Sequence, residues 1–226
     1  MTIDDKVLEA FYDIVTESKQ EMLEQIASDR THYITIVMET VMKEHNASAV
    51  LRSCDCFGIQ NLHAIEKGTS YEIQREIAKG AGNWVDLHTY MSTNNPTKEC
   101  LSDLKEKGYK IVATTPHTDN DINDIDVSQP IALVFGTERD GISEDVYEMA
   151  DELVRIPMYG FTESFNISVS AAIALNIIRN KLEHSEIDWR LTNEEQVKLK
   201  IDWCSKIVNK GVGIEKEIRR RFLEKE

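Results

Sequence analysis

The sequence predicts an α/β fold in which a parallel β-sheet is covered by helices on both faces. Runs of apolar and β-branched residues alternate along the chain with stretches of helical periodicity, the pattern of a parallel sheet. The predicted strands are almost continuously apolar, as at 131–135 (IALVF), which indicates burial on both faces. Polar loops follow Met38, Phe135 and Ile156. Ligands bind beyond the carboxyl ends of parallel strands, so we expect a site at these loops.

Local signals set the order of the elements. One amphipathic N-terminal helix is predicted from Thr2, which with Asp5 resembles a capping box, to the break at Ser28. An acidic segment without apolar period, 116–129, is predicted to be a loop. The other strands are predicted at 33–38, 61–65, 84–88, 109–114, 131–135 and from Val154, and the other helices at 46–57, 71–79, 96–107, 143–150, 167–182 and on either side of Gly211 to Gly213.

The composition bounds the class of protein. Of 226 residues, 41% are hydrophobic and 29% are charged, as in a globular domain and unlike a disordered chain. No apolar run is long enough to span a membrane, and the acidic N-terminus does not resemble a signal peptide. Four cysteines form no metal-ligand spacing with the six histidines and are interpreted as reduced. We therefore expect a cytoplasmic protein without a membrane partner or a metal.

The charge distribution leaves the question of a nucleic-acid partner open. A net charge of −14 argues against RNA, because phosphate contacts depend on cations. From Gln196 to Glu226, however, nine Lys and Arg outnumber five Asp and Glu, and Arg219, Arg220 and Arg221 are consecutive. Such a run is typical either of a solvated helix face or of an RNA-binding surface.

The common cofactor motifs are absent from the predicted loops. Neither a P-loop, nor a Gly-x-Gly-x-x-Gly dinucleotide fingerprint, nor a Gly-x-Ser-x-Gly nucleophile elbow is present. Gly136 and Gly141 bracket a tight turn that carries Glu138, which by itself is a weak signal. The loop that follows Ile156 could also be an ordinary connection between a strand and a helix.

Two helix starts carry more information. Asn166 occupies an N-cap position, and the free amides of a helix N-terminus favour an anionic or polar ligand. Asn46 is predicted to cap the helix that ends near Gly58. On that helix Arg52 points away from the apolar stripe formed by residues such as Val50, so it can face a ligand or water.

Taken together, the three loops resemble the three motifs of the SpoU or TrmH family of RNA ribose 2′-O-methyltransferases, within the SPOUT superfamily. The order and internal spacing of the motifs agree over about 125 residues, and the resemblance covers the predicted sheet domain. The matching stretches are 45–58 (HNASAVLRSCDCFG), 132–143 (ALVFGTERDGIS) and 156–170 (IPMYGFTESFNISVS).

The resemblance implies a sheet domain at 31–183 that ends in a deep trefoil knot, with helical extensions at 1–30 and 184–226. It also implies a homodimer whose site is completed across the interface. S-adenosylmethionine is expected in the crevice of the knot, held largely by backbone atoms. The residues expected to bind it are Thr114, Thr115, Gly136, Ile156, Met158 and Phe165.

The resemblance further assigns catalytic roles. Arg52 is the residue most closely tied to catalysis in the family. It acts either as the base that takes the proton of the 2′-hydroxyl or as a group that holds a phosphate and stabilises the alkoxide; an arginine keeps its proton in proteins, which favours the second role. Asn46 and Asn166 are expected to position the loop and the nucleotide, Glu138 to support Arg52 or the strand turn, and Ser164 to hydrogen-bond near the reacting hydroxyl.

Within the family, the His45-Asn46 pair and the helices at both ends favour enzymes that methylate guanosine-18 in the D-loop of tRNA. Two alternatives stay open, namely methylation of ribosomal RNA or of another tRNA position, and a non-catalytic RNA-binding or scaffold protein. The residues expected to contact RNA are Arg30, His45, Arg219, Arg220 and Arg221.

Overall fold

A computed structural model describes residues 2–40, 44–66, 80–91, 94–137 and 139–223. In chain order the elements are α1 (Ile3–Tyr12), α2 (Glu17–Ser28), β1 (Thr31–Glu39), α3 (Glu44–Cys56), β2 (Ile59–Ile65), β3 (Asp86–Tyr90), α4 (Pro96–Glu106), β4 (Lys110–Thr114), β5 (Ile131–Phe135), α5 (Glu144–Met149), β6 (Glu152–Val154), α6 (Ile167–Glu183), α7 (Asn193–Ile207) and α8 (Gly211–Leu223). Two compact units form: a sheet unit, Thr31–Trp189, and a helical unit, Met1–Arg30 with Arg190–Glu226.

The sheet unit contains the predicted parallel sheet. In the described residues it has six strands in the order β3-β2-β1-β5-β4-β6, and every pair is parallel. Strands β1 and β5 lie at the centre, which explains why they are the most continuously apolar. The prediction of a parallel α/β fold is confirmed.

Helices cover both faces of this sheet. On one face, α3 and α6 contribute fully buried residues such as Val50 and Ala174 to a core that includes Ile36 and Leu133. On the other face, residues of α4 and α5 such as Leu101 and Val146 pack on the alternate side chains of the strands. Because successive strand residues point to opposite faces, each central strand supplies both cores.

The helical unit consists of α1, α2, α7 and α8, which pack on one another. The side chain of Thr2 accepts a hydrogen bond from the amide of Asp5, and the predicted capping box is present. In the part of the chain that the structure describes, no helix is both long and apolar enough to cross a membrane.

The prediction of a single N-terminal helix is wrong, because α1 ends at Tyr12 and a separate helix, α2, begins at Glu17. The side-chain amide of Gln20 donates to the carbonyl oxygens of Tyr12 and Val15 at 2.6 and 2.7 Å, so the end of α1 gains partners outside its own helix. Thr16 begins the second helix in an extended conformation.

Other boundaries also differ from the predicted ones. Strand β6 ends at Val154, where the sequence predicted a strand to begin. Helix α3 begins at Glu44, so Asn46 lies inside its first turn and does not cap it. Residues 81–83 form a 3-10 turn, which delays β3 to Asp86. The acidic loop contains a second 3-10 turn, Ile122–Asp124, that buries Ile122 in the core. The helix predicted at 71–79 lies outside the described residues.

Candidate active site

A cavity of about 680 Å³ opens at the carboxyl ends of β4, β5 and β6. This volume suits a ligand of cofactor size. Its walls come from three places in the chain, namely the loop after β4, the turn after β5 and the segment after β6. All six residues predicted to bind the cofactor line it: Thr114, Thr115, Gly136, Ile156, Met158 and Phe165.

The turn after β5 is closed by its own backbone. The amide of Thr137 donates to the carbonyl of Gly141 at 2.9 Å, and the amide of Gly141 donates back at 3.1 Å. A Cβ atom on Gly136 would lie 2.1 Å from the carbonyl oxygen of Gly141, so only glycine fits there. Gly141 has a φ of 70°, which also favours glycine. The two glycines named by the sequence thus make one compact wall.

The loop after β4 is anchored to both neighbouring strands. The hydroxyl of Thr114 donates to the carbonyl of Val134 at 3.0 Å, and the amide of Thr115 donates to the carbonyl of Val154 at 3.0 Å. The hydroxyl of Thr115 lies 3.0 Å from that of Tyr147, and Tyr147 also lines the cavity. Hydroxyl groups on this side can therefore meet a polar ligand in a fixed arrangement.

The segment after β6 leads to the N-terminus of α6. Asn166 caps this helix, as predicted, because its side-chain oxygen accepts from the amide of Ser168 at 2.9 Å. The side-chain amide of Asn166 donates to the side-chain oxygen of Asn46 at 3.0 Å. Asn46 is only 2% exposed whereas Asn166 is exposed, so the pair joins the first and third motifs, 120 residues apart, through a partly buried contact.

The other predicted catalytic residues take different positions. Arg52 is exposed on α3, whereas Val50 and Cys54 of the same helix are buried. Arg52 does not line the cavity, and Ser164 does so with an exposed side chain. Glu138 lies outside the described residues.

The residues predicted to contact RNA differ in their exposure and in their ion pairs. His45 is exposed in the first turn of α3. In the helical unit, Arg219 binds Asp4 at 2.7 Å. Arg220 and Arg221 both bind Glu217, and these hydrogen bonds lower the pKa of its carboxyl below the ordinary value.

Arg30 requires a correction. Its side chain is only 2% exposed, and its guanidinium carbon lies 5.3 Å from the centre of the Trp203 ring, within the helical unit. A buried guanidinium that packs on an aromatic ring stabilises the unit and offers no donor to a phosphate at the surface. Arg30 is therefore not among the proposed RNA contacts.

Two polar residues at this edge of the sheet, Tyr147 and Glu39, were not predicted from the sequence. No sequence signal marked Tyr147, which lies in the short acidic helix α5. Glu39 ends the apolar run of β1 and is 3% exposed, with hydrogen bonds from Thr97 and Ser143. A charged residue at the end of a strand buried on both faces was the signal that could have revealed it.

The chain is similar to proteins of known activity. The SpoU rRNA Methylase family matches residues 33–176. The tRNA (guanosine(18)-2′-O)-methyltransferase of Borreliella burgdorferi is 34% identical over 203 residues, which are 89% of this chain and 91% of that enzyme.

Solved structures agree with this match. The A. aeolicus TrmH/SpoU tRNA modifying enzyme has a TM-score of 0.75 and 29% identity over 85% of this chain and 98% of its own. The SpoU methyltransferase AviRb from Streptomyces viridochromogenes, in complex with AdoMet, has a TM-score of 0.61 over 71% of this chain and 65% of its own, and its 20% identity shows likeness of fold alone. The chain belongs to the SpoU rRNA Methylase family.

Proposed function

We propose that this chain transfers a methyl group from S-adenosylmethionine to the ribose 2′-hydroxyl of guanosine-18 in tRNA. Family membership and the activity for which the relative from Borreliella burgdorferi is named support the reaction and the substrate. The observation that carries the proposal is the cavity of about 680 Å³, because all six residues expected to hold the cofactor line it.

The shape and the lining residues of the cavity suit S-adenosylmethionine. A Cβ atom at Gly136 would collide with the backbone of Gly141, so the wall is shaped for a close approach of its own backbone atoms. Hydroxyl groups of Thr115 and Tyr147 offer polar partners beside the apolar side chains of Ile156 and Met158. When bound, S-adenosylmethionine supplies the electrophilic methyl group on its sulfonium.

The chain's own residues have the task of aligning and activating the ribose. Arg52 is exposed, and arginine side chains act as cationic donors in proteins, so its role is to hold a phosphate next to the target and to stabilise the negative charge that develops on the 2′-oxygen. Ser164 is a hydrogen-bond partner for the hydroxyl. Asn46 and Asn166 hold the first and third motifs in register, and such positioning supplies much of the rate of a direct displacement. Glu138 keeps its supporting role as a proposal.

A trefoil knot in the sheet unit is part of the proposal. Support comes from the way the chain around Arg155 runs against the loop after β4: its amide donates to the carbonyl of Asn120 at 2.8 Å, and its carbonyl accepts from the amide of Ile122 at 2.9 Å. Further along, Lys181 on α6 donates to the carbonyl of Ile125 in the same loop at 2.8 Å. The loop thus contacts the chain both before and after the cavity segment.

The active form is proposed to be a homodimer in the cytoplasm, with regions 1–30 and 184–226 as helical extensions that help to bind tRNA. Helix α6 supports a dimer, because Ala171 and Ala174 are buried in the sheet unit while Val169 remains 44% exposed and Ala172 half-buried. A second apolar surface on a helix tends to be buried, and a twofold contact would bury it. His45, Arg219, Arg220 and Arg221 remain the proposed RNA contacts.

One assay tests the reaction and its target together. The full chain is incubated with radiolabelled S-adenosylmethionine and a tRNA transcript, and the methylated ribose is mapped by reverse transcription. A matched transcript carrying 2′-deoxyguanosine at position 18 should accept no label. Label in ribosomal RNA or at another tRNA position would replace the proposed substrate, and binding without any transfer would favour the non-catalytic alternative.

A further inference from the structure

A buried carboxylate lies at the end of the central strand β1. Glu39 is 3% exposed. One of its oxygens, Oε2, accepts from the backbone amide of Ser143 at 2.9 Å. The other, Oε1, accepts from the hydroxyl of Ser143 at 2.6 Å and from the hydroxyl of Thr97 at 2.8 Å. Burial of a carboxylate is costly unless hydrogen bonds replace water, and these three donors make that replacement.

Two of the three donors belong to one residue at the end of the cavity turn. Ser143 follows the turn that begins at Gly136. Both residues of the Thr137–Gly141 bridge in this turn line the cavity. The turn continues from β5 at Gly136, and its far end is held by the buried side chain of Ile142 and by Ser143, which binds Glu39 on β1. Removal of the Ser143 contacts would leave the other attachments in place.

We propose that Glu39 is a positioning residue that holds the turn at 136–143 in the shape that receives S-adenosylmethionine. Glu39 does not line the cavity and is not assigned any contact with the cofactor. Its effect passes through Ser143 to the cavity wall. The inference rests on the proposed function in one respect, namely that the ligand of this cavity is S-adenosylmethionine.

Thr97 provides a matched control within the same cluster. Its hydroxyl binds the same Oε1 atom as the hydroxyl of Ser143, but it stands in the first turn of α4, and no described residue of α4 lines the cavity. Helix α4 also keeps independent contacts with α5, where Lys98 binds Asp145 and Glu148 at 3.1 Å. Loss of the Thr97 hydroxyl should therefore reduce stability without moving the turn.

The first experiment compares Ser143→Ala with Thr97→Ala in the full chain. Both variants lose one hydrogen bond to the same oxygen, so we expect similar falls in melting temperature. Calorimetry should find S-adenosylmethionine binding about five- to tenfold weaker in Ser143→Ala and within twofold of the unmodified protein in Thr97→Ala. The KM for the cofactor should rise in Ser143→Ala while kcat changes less than twofold. Equal binding by the two variants would overturn the inference.

The second experiment varies the carboxylate itself. In Glu39→Gln, the amide oxygen can still accept from the amide of Ser143, and the two hydroxyls can rotate to accept from the new amide group. Glu39→Met has similar length and no acceptor for that amide. We expect cofactor binding within threefold for Glu39→Gln and at least tenfold weaker for Glu39→Met. If Glu39→Met does not fold, the comparison of Ser143→Ala with Thr97→Ala decides alone.

A cofactor-free measurement separates failure of the inference from failure of the proposed function. Hydrogen exchange at the amides of Thr137 and Gly141 reports the turn directly, because both are hydrogen-bonded across it. Exchange should be faster in Ser143→Ala than in Thr97→Ala. If the unmodified protein fails to bind S-adenosylmethionine but this difference persists, the cofactor assignment is wrong and the positioning role of Glu39 stands. Equal exchange in both variants would refute that role.

Discussion

Two walls of the same cavity are built in opposite ways. The turn at 136–143 is closed by a pair of backbone hydrogen bonds between Thr137 and Gly141 and tied to the sheet through Ser143. The segment 156–165 forms the facing wall. In the described residues, no hydrogen bond holds it between Arg155, which is bound by the loop after β4, and Asn166, which is bound by Asn46.

The exposure of the two walls differs as well. Tyr159 is 97% exposed and Phe161 is fully exposed, although the strand that precedes them, β6, ends at the buried Val154. The first wall is thus complete in the folded chain, whereas the second presents large apolar side chains to solvent. Exposed aromatic groups beside a cavity are typical of a surface that is covered when a ligand or partner binds. We therefore expect affinity for the cofactor to depend more on the first wall than on the second.

The largest change in stability and cofactor affinity is expected when one methyl group is added to the first wall, and the same change on the second wall serves as the control. In Gly136→Ala the new Cβ would lie 2.1 Å from the carbonyl oxygen of Gly141, so the turn has to move. In Gly160→Ala the new Cβ would meet nothing within 4 Å. We expect Gly136→Ala to lose about 3 kcal/mol of stability and at least about a hundredfold in cofactor affinity, and Gly160→Ala to change stability by less than about 0.5 kcal/mol.

Thermal unfolding and calorimetry check both variants. A Gly136→Ala protein that binds S-adenosylmethionine normally would show that the turn is not the wall that the cofactor needs. A large loss of binding in Gly160→Ala with normal stability would reverse the comparison and make the exposed segment the decisive wall.

The next effect concerns a residue that belongs to neither wall. Arg52 is exposed on α3 and does not line the cavity, so Arg52→Ala should leave the fold and cofactor binding unchanged. Methyl transfer should fall more than tenfold, a loss of at least about 1.4 kcal/mol of transition-state stabilisation. Single-turnover rates and calorimetry separate the two quantities. A variant that retains more than about a tenth of the turnover would remove Arg52 from catalysis.

The two walls also show which features the sequence could reveal. Gly136 and the Asn166 cap were predictable, because each meets a local requirement of the backbone that a few neighbouring residues define. The partner of Asn46 was not, since Asn166 is 120 residues away and its amide reaches Asn46 only after the sheet has formed. The role of Glu39 was hidden for the same reason, because its donors follow 58 and 104 residues later.

The helical unit repeats that lesson for charge. Arg30 looked available to RNA because the sequence does not show that Trp203 covers it. By contrast, the pairs of Arg220 and Arg221 with Glu217 follow the spacing of three or four residues along a helix and could have been read from the sequence. A count of basic residues therefore overstates the cations that are free for a phosphate.

A moderate effect is expected where the exposed segment is attached at its far end. The hydrogen bond between Asn166 and Asn46 should give a coupling energy of about 1 kcal/mol in a double-mutant cycle with alanine at each position. Asn166→Ser is the control, since serine keeps an N-cap oxygen but lacks the amide that reaches Asn46. It should preserve helix stability and lose activity. Additive alanine effects on stability would show that the contact does not link the two motifs.

The smallest effect on stability should come from the exposed aromatic pair, and it decides what the second wall is for. Phe161 and Tyr159 bury almost nothing in the chain itself, so alanine at either position should change the free energy of unfolding by less than about 0.5 kcal/mol. Phe161 lines the cavity, so Phe161→Ala should weaken cofactor binding. Tyr159 does not line the cavity, so Tyr159→Ala should leave cofactor binding unchanged. Chemical denaturation and calorimetry measure both. A loss of stability above about 1 kcal/mol at high protein concentration, absent in dilute protein, would mean instead that a second copy of the chain already covers this wall.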